Sequence, residues 1–274
     1  QPNAMGGREV GGLSNQLASH LELANPDDRA LLGRFWGSDT IADKPGYSAV
    51  DLFNAMHDGK VKAVWIMATN PVVSLPNADY VKTALKRCEL VIVSDCVSQT
   101  DTSALAHVKL PAAGWGERDG IVTNSERRIS HQKAILPLSG DAKPDWWIIT
   151  QVARKMGFEK AFPYQHQVEI FREHAALSGF ENTAEQRLRD FDISAYADIG
   201  LEDYENFTPI QWPVNSEFPE WKARFFADGF FYTHNNKANF VKTDYSPPKN
   251  KVSDDYPLIL NTGRVRDQWH TIIS

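Results

Sequence analysis

Cysteine is scarce in this chain. Of 274 residues only Cys88 and Cys96 carry thiols, and the strand-like run between them sets its two ends too far apart for a disulfide. Neither belongs to a Cys-x-x-Cys pair, so a metal or iron–sulfur site of that kind has no support. Both read as buried thiols in a reducing compartment. The eight histidines are scattered without metal spacing. Long apolar runs are missing too, and no segment is expected to span a bilayer. No basic cluster offsets the net charge of −6, which argues against a nucleic-acid partner. The common phosphate fingerprints are absent: no Gly-x-Gly-x-x-Gly follows a strand and no Gly-Lys-Ser/Thr loop occurs. An ordinary NAD- or ATP-binding domain is therefore disfavoured. Gly6-Gly-Arg-Glu-Val-Gly-Gly12 follows no strand and reads as a helix-entry turn.

What remains is an α/β pattern. Val61–Ala68, Glu89–Ser94 and His107–Leu110 are short apolar runs rich in β-formers. Between them, Asn77 is placed to cap a helix through Arg87, and Thr100 or Asp101 to cap a short one through Ala106. Ser48–Gly59 and Pro144–Gly157 read as covering helices. Short strands separated by helices imply a parallel, Rossmann-like sheet with right-handed crossovers. The character changes near Phe158. Val168–Ser178 is helical, Trp221–Tyr245 suggests an irregular hairpin, and Ser246–Asp255 is an exposed linker. Tyr256–Asn261 opens a new strand. The expected organisation is an α/β domain at 1–157, an irregular α+β region at 158–254, and the truncated start of a β-barrel-type domain at 255–274.

In a parallel sheet, ligands collect outside the carboxyl ends of the strands, near helix N-termini. Asn70, Ser94 with Asp95, and Arg118 stand at such ends. Taken singly, Asn-Pro and Ser-Asp are common turn and cap pairs; three on successive connections favour a nucleotide-like ligand. Asp95 has a more specific use. A carboxylate accepts two bonds side by side, matching the N1–H and N2–H donors of guanine and opposing the N1 acceptor of adenine. By analogy with bidentate base contacts, that choice is worth roughly 1–3 kcal/mol. After the strand at 256–261, Gly263 lets the backbone approach an anion and Arg264 supplies a guanidinium suited to phosphate. His270 and Thr271 supply hydrogen-bonding groups for a heterocycle.

The densest motif is Trp115-Gly-Glu-Arg-Asp-Gly-Ile-Val-Thr-Asn-Ser-Glu-Arg-Arg128. With Gln1-Pro-Asn-Ala-Met-Gly-Gly-Arg-Glu-Val-Gly-Gly12, Ala68-Thr-Asn-Pro71, Val93-Ser-Asp95, Ala142-Lys-Pro-Asp-Trp146 and Thr262–Thr271, it resembles the molybdopterin oxidoreductases. The likeness is to the middle-to-late portion of bacterial nitrate reductases of the assimilatory, cytoplasmic type, and it runs from end to end in one order. The resemblance implies a molybdenum bis(molybdopterin guanine dinucleotide) cofactor, contacted by Asn70, Ser94, Asp95, Arg118, Asp145, Thr262, Gly263, Arg264, His270 and Thr271. Glu126, Arg127 and Arg128 are expected to form an internal ion-pair cluster, and Trp146 and Trp147 to be core. The resemblance also implies an electron-donor protein or reductase subunit, nitrate as substrate, and a 4Fe–4S cluster in the parent enzyme. The ligands of that cluster and of the metal match no residue here, so the fragment alone is expected to be inactive. Two alternatives stand beside it: another molybdopterin oxidoreductase such as a formate dehydrogenase, or a non-catalytic nucleotide-binding or assembly module.

Overall fold

The computed structural model describes residues 3–183, 188–220, 224–248 and 251–259. A short helix α1 (Ala4–Glu9) and helix α2 (Pro26–Trp36) come first. Asn25 starts α2 by accepting from the Asp27 N–H at 2.9 Å, and Gly37 ends it in left-handed backbone (φ 61°). An α/β unit follows: α3 (Ala49–His57), β1 (Ala63–Met67), α4 (Pro71–Ser74), α5 (Ala78–Arg87), β2 (Leu90–Asp95) and β3 (Val108–Pro111). The strands pair in parallel in the order β1-β2-β3, with Ile66 opposite Val93 and Asp95 opposite Pro111. Asn77 caps α5 through a 3.3 Å bond from the Tyr80 N–H. Thr100 accepts from the Ser103 N–H at 2.9 Å at the head of the turn Ser103–Leu105.

Alternation along the strands decides what is buried. Ile66, Val91 and Val93 meet Phe53 and Met56 of α3 and Val81, Ala84 and Leu85 of α5 in one apolar cluster. Each large aliphatic side chain so buried contributes roughly 1.5–3 kcal/mol. Beyond β3 the sheet gains a rudimentary neighbour. Ala112 bridges Lys143 in parallel, the Lys143 N–H donating to the Pro111 carbonyl at 3.1 Å and the Ala113 N–H to the Lys143 carbonyl at 2.9 Å.

A second layer is antiparallel. Strands β4 (Gly120–Thr123) and β5 (Arg128–Gln132) form a hairpin whose turn is held by Asn124, the side chain of which accepts from the Glu126 and Arg128 N–H groups. Helices α6 (Asp145–Lys155), α7 (Gln167–Gly179) and α8 (Leu201–Glu205) follow, and β6 (Ile210–Gln211) pairs with β5. This sheet therefore takes strands from both sides of residue 157. Its core gathers Ile129, Phe171, Phe191, Ile193, Tyr204 and Trp212. Glu9 of α1 closes the layer: its two oxygens accept from Trp212 Nε1 at 2.6 Å and Thr123 Oγ1 at 2.7 Å.

Several expectations need correction. Gly6 and Gly7 lie inside α1; only Gly11 (φ 73°) turns the chain. Cys88 is buried but Cys96 is exposed, because it follows the last residue of β2; both are free. Trp147 is exposed and Trp146 half-buried, since α6 turns Ile148, Thr150 and Ala153 inward instead. Among the described residues of 221–245 there is no strand. Left-handed backbone at Phe226, Gly229 and Asn236 interrupts any extended run, and the Phe226 ring stacks on Phe231 at 5.0 Å. Tyr256–Ile259 is exposed and forms no strand. The remainder of the proposed barrel start lies outside the described residues, as do Thr262, Gly263, Arg264, His270 and Thr271. Among the described residues no helix is long and apolar enough to cross a membrane.

Candidate functional site

Parallel pairing sends all strands to the same edge. Asn70 lies three residues past the end of β1, Asp95 ends β2, Arg118 follows β3, and Asp145 follows the Lys143 bridge. Four residues singled out from sequence thus stand along one carboxyl edge, their chain order matching the order of the strands. At the end of β1, Ala68 adopts left-handed backbone (φ 53°), a conformation uncommon for a residue with a Cβ. It marks the point where the strand gives way to the turn carrying Asn70.

The side chains at this edge divide by how they are already engaged. Ser94 is fully buried, and its hydroxyl accepts from Trp65 Nε1 at 2.7 Å. Its side chain therefore belongs to the sheet interior. Asp95 is half-buried; its Oδ1 accepts from the Val97 N–H at 3.0 Å, an Asx turn that fixes the carboxylate. Each carboxylate oxygen has two lone pairs, so capacity for a side-by-side donor pair remains. A cavity of about 530 Å³ opens beside it, lined by Cys96, Lys109, Gly114, Gly116 and Ala142 among others. Arg118 and Asp145 pair with each other, Nη1 donating to Oδ2 at 3.0 Å, with 41% and 29% of their side chains exposed.

Two residues that hold this edge carry no sequence signal. Gln132, on β5, donates from Nε2 to the carbonyls of Trp115 at 2.8 Å and Arg118 at 3.3 Å, pinning the turn that carries Arg118. Thr102, fully buried, donates from its hydroxyl to Asn70 Oδ1 at 2.6 Å. Both act from elements distant in sequence, and no motif spacing connects them to their targets.

Behind the Arg118–Asp145 pair is a second polar centre. Asp119 accepts from His131 Nε2 at 2.9 Å, from Gln167 Nε2 at 2.8 Å and from the Tyr204 hydroxyl at 3.4 Å. Burial, then the nearby Asp119 charge, raises the Tyr204 phenol well above its usual range. A cavity of about 270 Å³ there is lined by Glu9, Asp119, Trp146, His174 and Tyr204. Burial raises the Glu9 carboxyl, opposed by its bonds to Thr123 and Trp212. Burial, with the neighbouring His20, pushes His174 down to about 4. Arg127 has aromatic neighbours: its guanidinium lies 4.2 Å from the Phe225 ring centroid and 5.3 Å from that of Trp212, whose carbonyl it also meets. Among the described residues no cluster of His, Cys, Asp or Glu is arranged to hold a metal ion.

Comparison with known proteins places these elements in a family. The molybdopterin oxidoreductase family model matches residues 3–155. The nitrate reductase of Klebsiella oxytoca is 50% identical over 274 residues, which is 99% of this chain and 30% of that protein. The assimilatory nitrate reductase catalytic subunit of Bacillus subtilis is 33% identical over 99% of this chain and 37% of its own length. The F420-dependent formate dehydrogenase subunit alpha of Methanocaldococcus jannaschii is 30% identical over 99% of this chain and 37% of its own length. The chain thus spans about a third of the length of these relatives. The family match runs from α1 to the end of α6, taking in the parallel sheet and every residue of its carboxyl edge named above. One family model accounts for more than half of the chain, and the chain belongs to the molybdopterin oxidoreductase family.

Proposed function

We propose that this chain supplies one wall of a molybdopterin guanine dinucleotide site in a nitrate reductase, with the nucleotide end lying along the carboxyl edge of the parallel sheet. The observation that supports this most is the placement of Asn70, Asp95, Arg118 and Asp145 at successive strand ends. The residues present fit such a group. Asp95 offers a fixed carboxylate beside a cavity, suited to the N1–H and N2–H edge of guanine. Arg118 offers a half-exposed guanidinium suited to phosphate, held in place by Asp145 at the head of α6. Gly114 and Gly116, either side of Trp115, allow the backbone of that turn to approach a ligand closely. Thr262, Gly263, Arg264, His270 and Thr271 are proposed to complete the cradle.

When bound, the molybdenum–pterin group supplies the two-electron oxygen-atom transfer that converts nitrate to nitrite. This chain's residues bind and orient its nucleotide portion. The second dinucleotide's remaining contacts, the metal ligand, the 4Fe–4S cluster and the surface that meets the electron-donor protein are assigned to other parts of a cytoplasmic parent polypeptide. A formate dehydrogenase is the second reading, favoured by the 30% identical relative of that name. The 50% identical nitrate reductase makes nitrate the preferred substrate.

Titration calorimetry tests the cradle. GMP is expected to bind roughly tenfold or more tightly than AMP, and the preference to vanish in Asp95→Ala. Equal binding of the two nucleotides, or a GMP preference indifferent to that substitution, would refute the assignment of Asp95. The chain alone is expected to give no nitrite from nitrate with a reduced viologen donor.

A further inference from the structure

We propose that Thr102 is the positioning residue that fixes Asn70 as a hydrogen-bond donor at the carboxyl edge, so that the ligand atom facing Asn70 is an acceptor oxygen. The inference rests on reading that edge as a nucleotide site, and it adds the sense of one contact within it. Thr102 is fully buried. Its Oγ1 accepts from the Val72 N–H at 3.2 Å and lies 2.6 Å from Asn70 Oδ1. A hydroxyl has one proton to give, and the Val72 bond leaves that proton free for Asn70. Were the Asn70 amide reversed, its NH2 would also donate to Oγ1. The buried hydroxyl proton would then need another acceptor, and a buried donor left unmet is unfavourable.

Oδ1 already accepts from Thr102, whereas Nδ2 has no hydrogen-bond partner among the described residues, so the donor is the group of Asn70 with its full capacity left for a ligand. The backbone of Asn70 is fixed as well. The Asn70 carbonyl accepts from the Val73 and Ser74 N–H groups at 3.0 Å each, tying the residue to the first turn of α4. The edge is thereby sorted by chemistry. Asp95, on the middle strand, accepts, while Asn70 on one side and Arg118 on the other donate. A donor at Asn70 selects a phosphate or carbonyl oxygen and disfavours an N–H group.

The test uses Thr102→Val, which keeps the shape and removes the hydroxyl, Thr102→Ser, which restores it, Asn70→Ala, and the Thr102→Val/Asn70→Ala pair. For GMP binding, Thr102→Val and Asn70→Ala are each expected to weaken affinity about tenfold, and Thr102→Ser less than about threefold. The double variant is expected to be no weaker than Asn70→Ala alone, because Thr102 acts through Asn70. In the ligand-free chain, the Asn70 side-chain NH2 resonances should shift in Thr102→Val and return in Thr102→Ser. Fully additive losses, or Asn70 resonances indifferent to Thr102→Val, would overturn the proposal. Failure of the unsubstituted chain to bind GMP would refute the nucleotide reading, and the resonances would still decide the role of Thr102. Guanosine in place of GMP identifies the oxygen: an Asn70→Ala effect that persists points to the base carbonyl, one that disappears to phosphate.

Discussion

Arg118 Nη1 lies 3.0 Å from Asp145 Oδ2, joining the turn after β3 to the head of α6 across 27 positions of sequence. Both side chains are part-exposed, so the pair itself adds little to stability, less than about 1 kcal/mol. Its proposed role is in binding. Arg118→Lys is expected to leave the urea midpoint nearly unchanged while weakening GMP about tenfold, because an ammonium cannot present two parallel donors to phosphate. Calorimetry at two salt concentrations checks this; unchanged affinity would remove Arg118 from the phosphate site.

Gln132 reaches two carbonyls of the Arg118 turn with one amide. Gln132→Leu is expected to cost about 1 kcal/mol in urea unfolding and to speed amide hydrogen exchange across 115–118. Exchange as slow as in the unsubstituted chain would show that the turn is held by other contacts.

Glu9 meets two donors inside the antiparallel layer. Glu9→Leu would strand both and is expected to cost roughly 2–4 kcal/mol. Glu9→Gln should cost about half as much, since Trp212 keeps its oxygen acceptor and only the buried Thr123 hydroxyl proton loses its partner. Equal losses in the two variants, measured by urea unfolding, would contradict this account.

His174 gives the protein an acid-sensitive term. Its folded pKa of about 4 lies below the ordinary imidazole value, so between these limits the unfolded chain binds a proton that the folded one does not. The stability tied to neutral His174 is complete above about pH 6.5 and is lost as pH falls towards 4, by at most about 3 kcal/mol. Glu9, raised by burial, acts in the opposite sense and loses stability as pH rises above its ordinary range. His174→Leu should therefore flatten the fall in stability between pH 6.5 and 4; an unchanged acid slope would refute the assignment.

The parallel unit was legible because its signals are local. Asn77 and Tyr80, Thr100 and Ser103, and the apolar runs of β1 and β2 each lie within a few residues of one another. The antiparallel layer was not. Strand β6 has two residues, and its pairing with β5 joins Ile129 to Ile210. No periodicity survives in so short a strand. Cys96 is exposed despite the apolar run before it, because it sits one residue past the end of β2, where burial stops. Of the edge residues, the sequence named Asn70, Asp95, Arg118 and Asp145, but the supports Thr102 and Gln132 act through single long-range bonds that leave no pattern.

The hydrogen bond from Trp212 to Glu9 spans 203 positions. Contacts within the parallel unit close loops of a few tens of residues, whereas this one closes a loop of 203 positions, a slower event. During synthesis the strands β1, β2 and β3 leave the ribosome before Trp212 does. The edge can thus form ahead of the layer behind it, and the Glu9–Trp212 contact acts as a late clasp over a framework already in place.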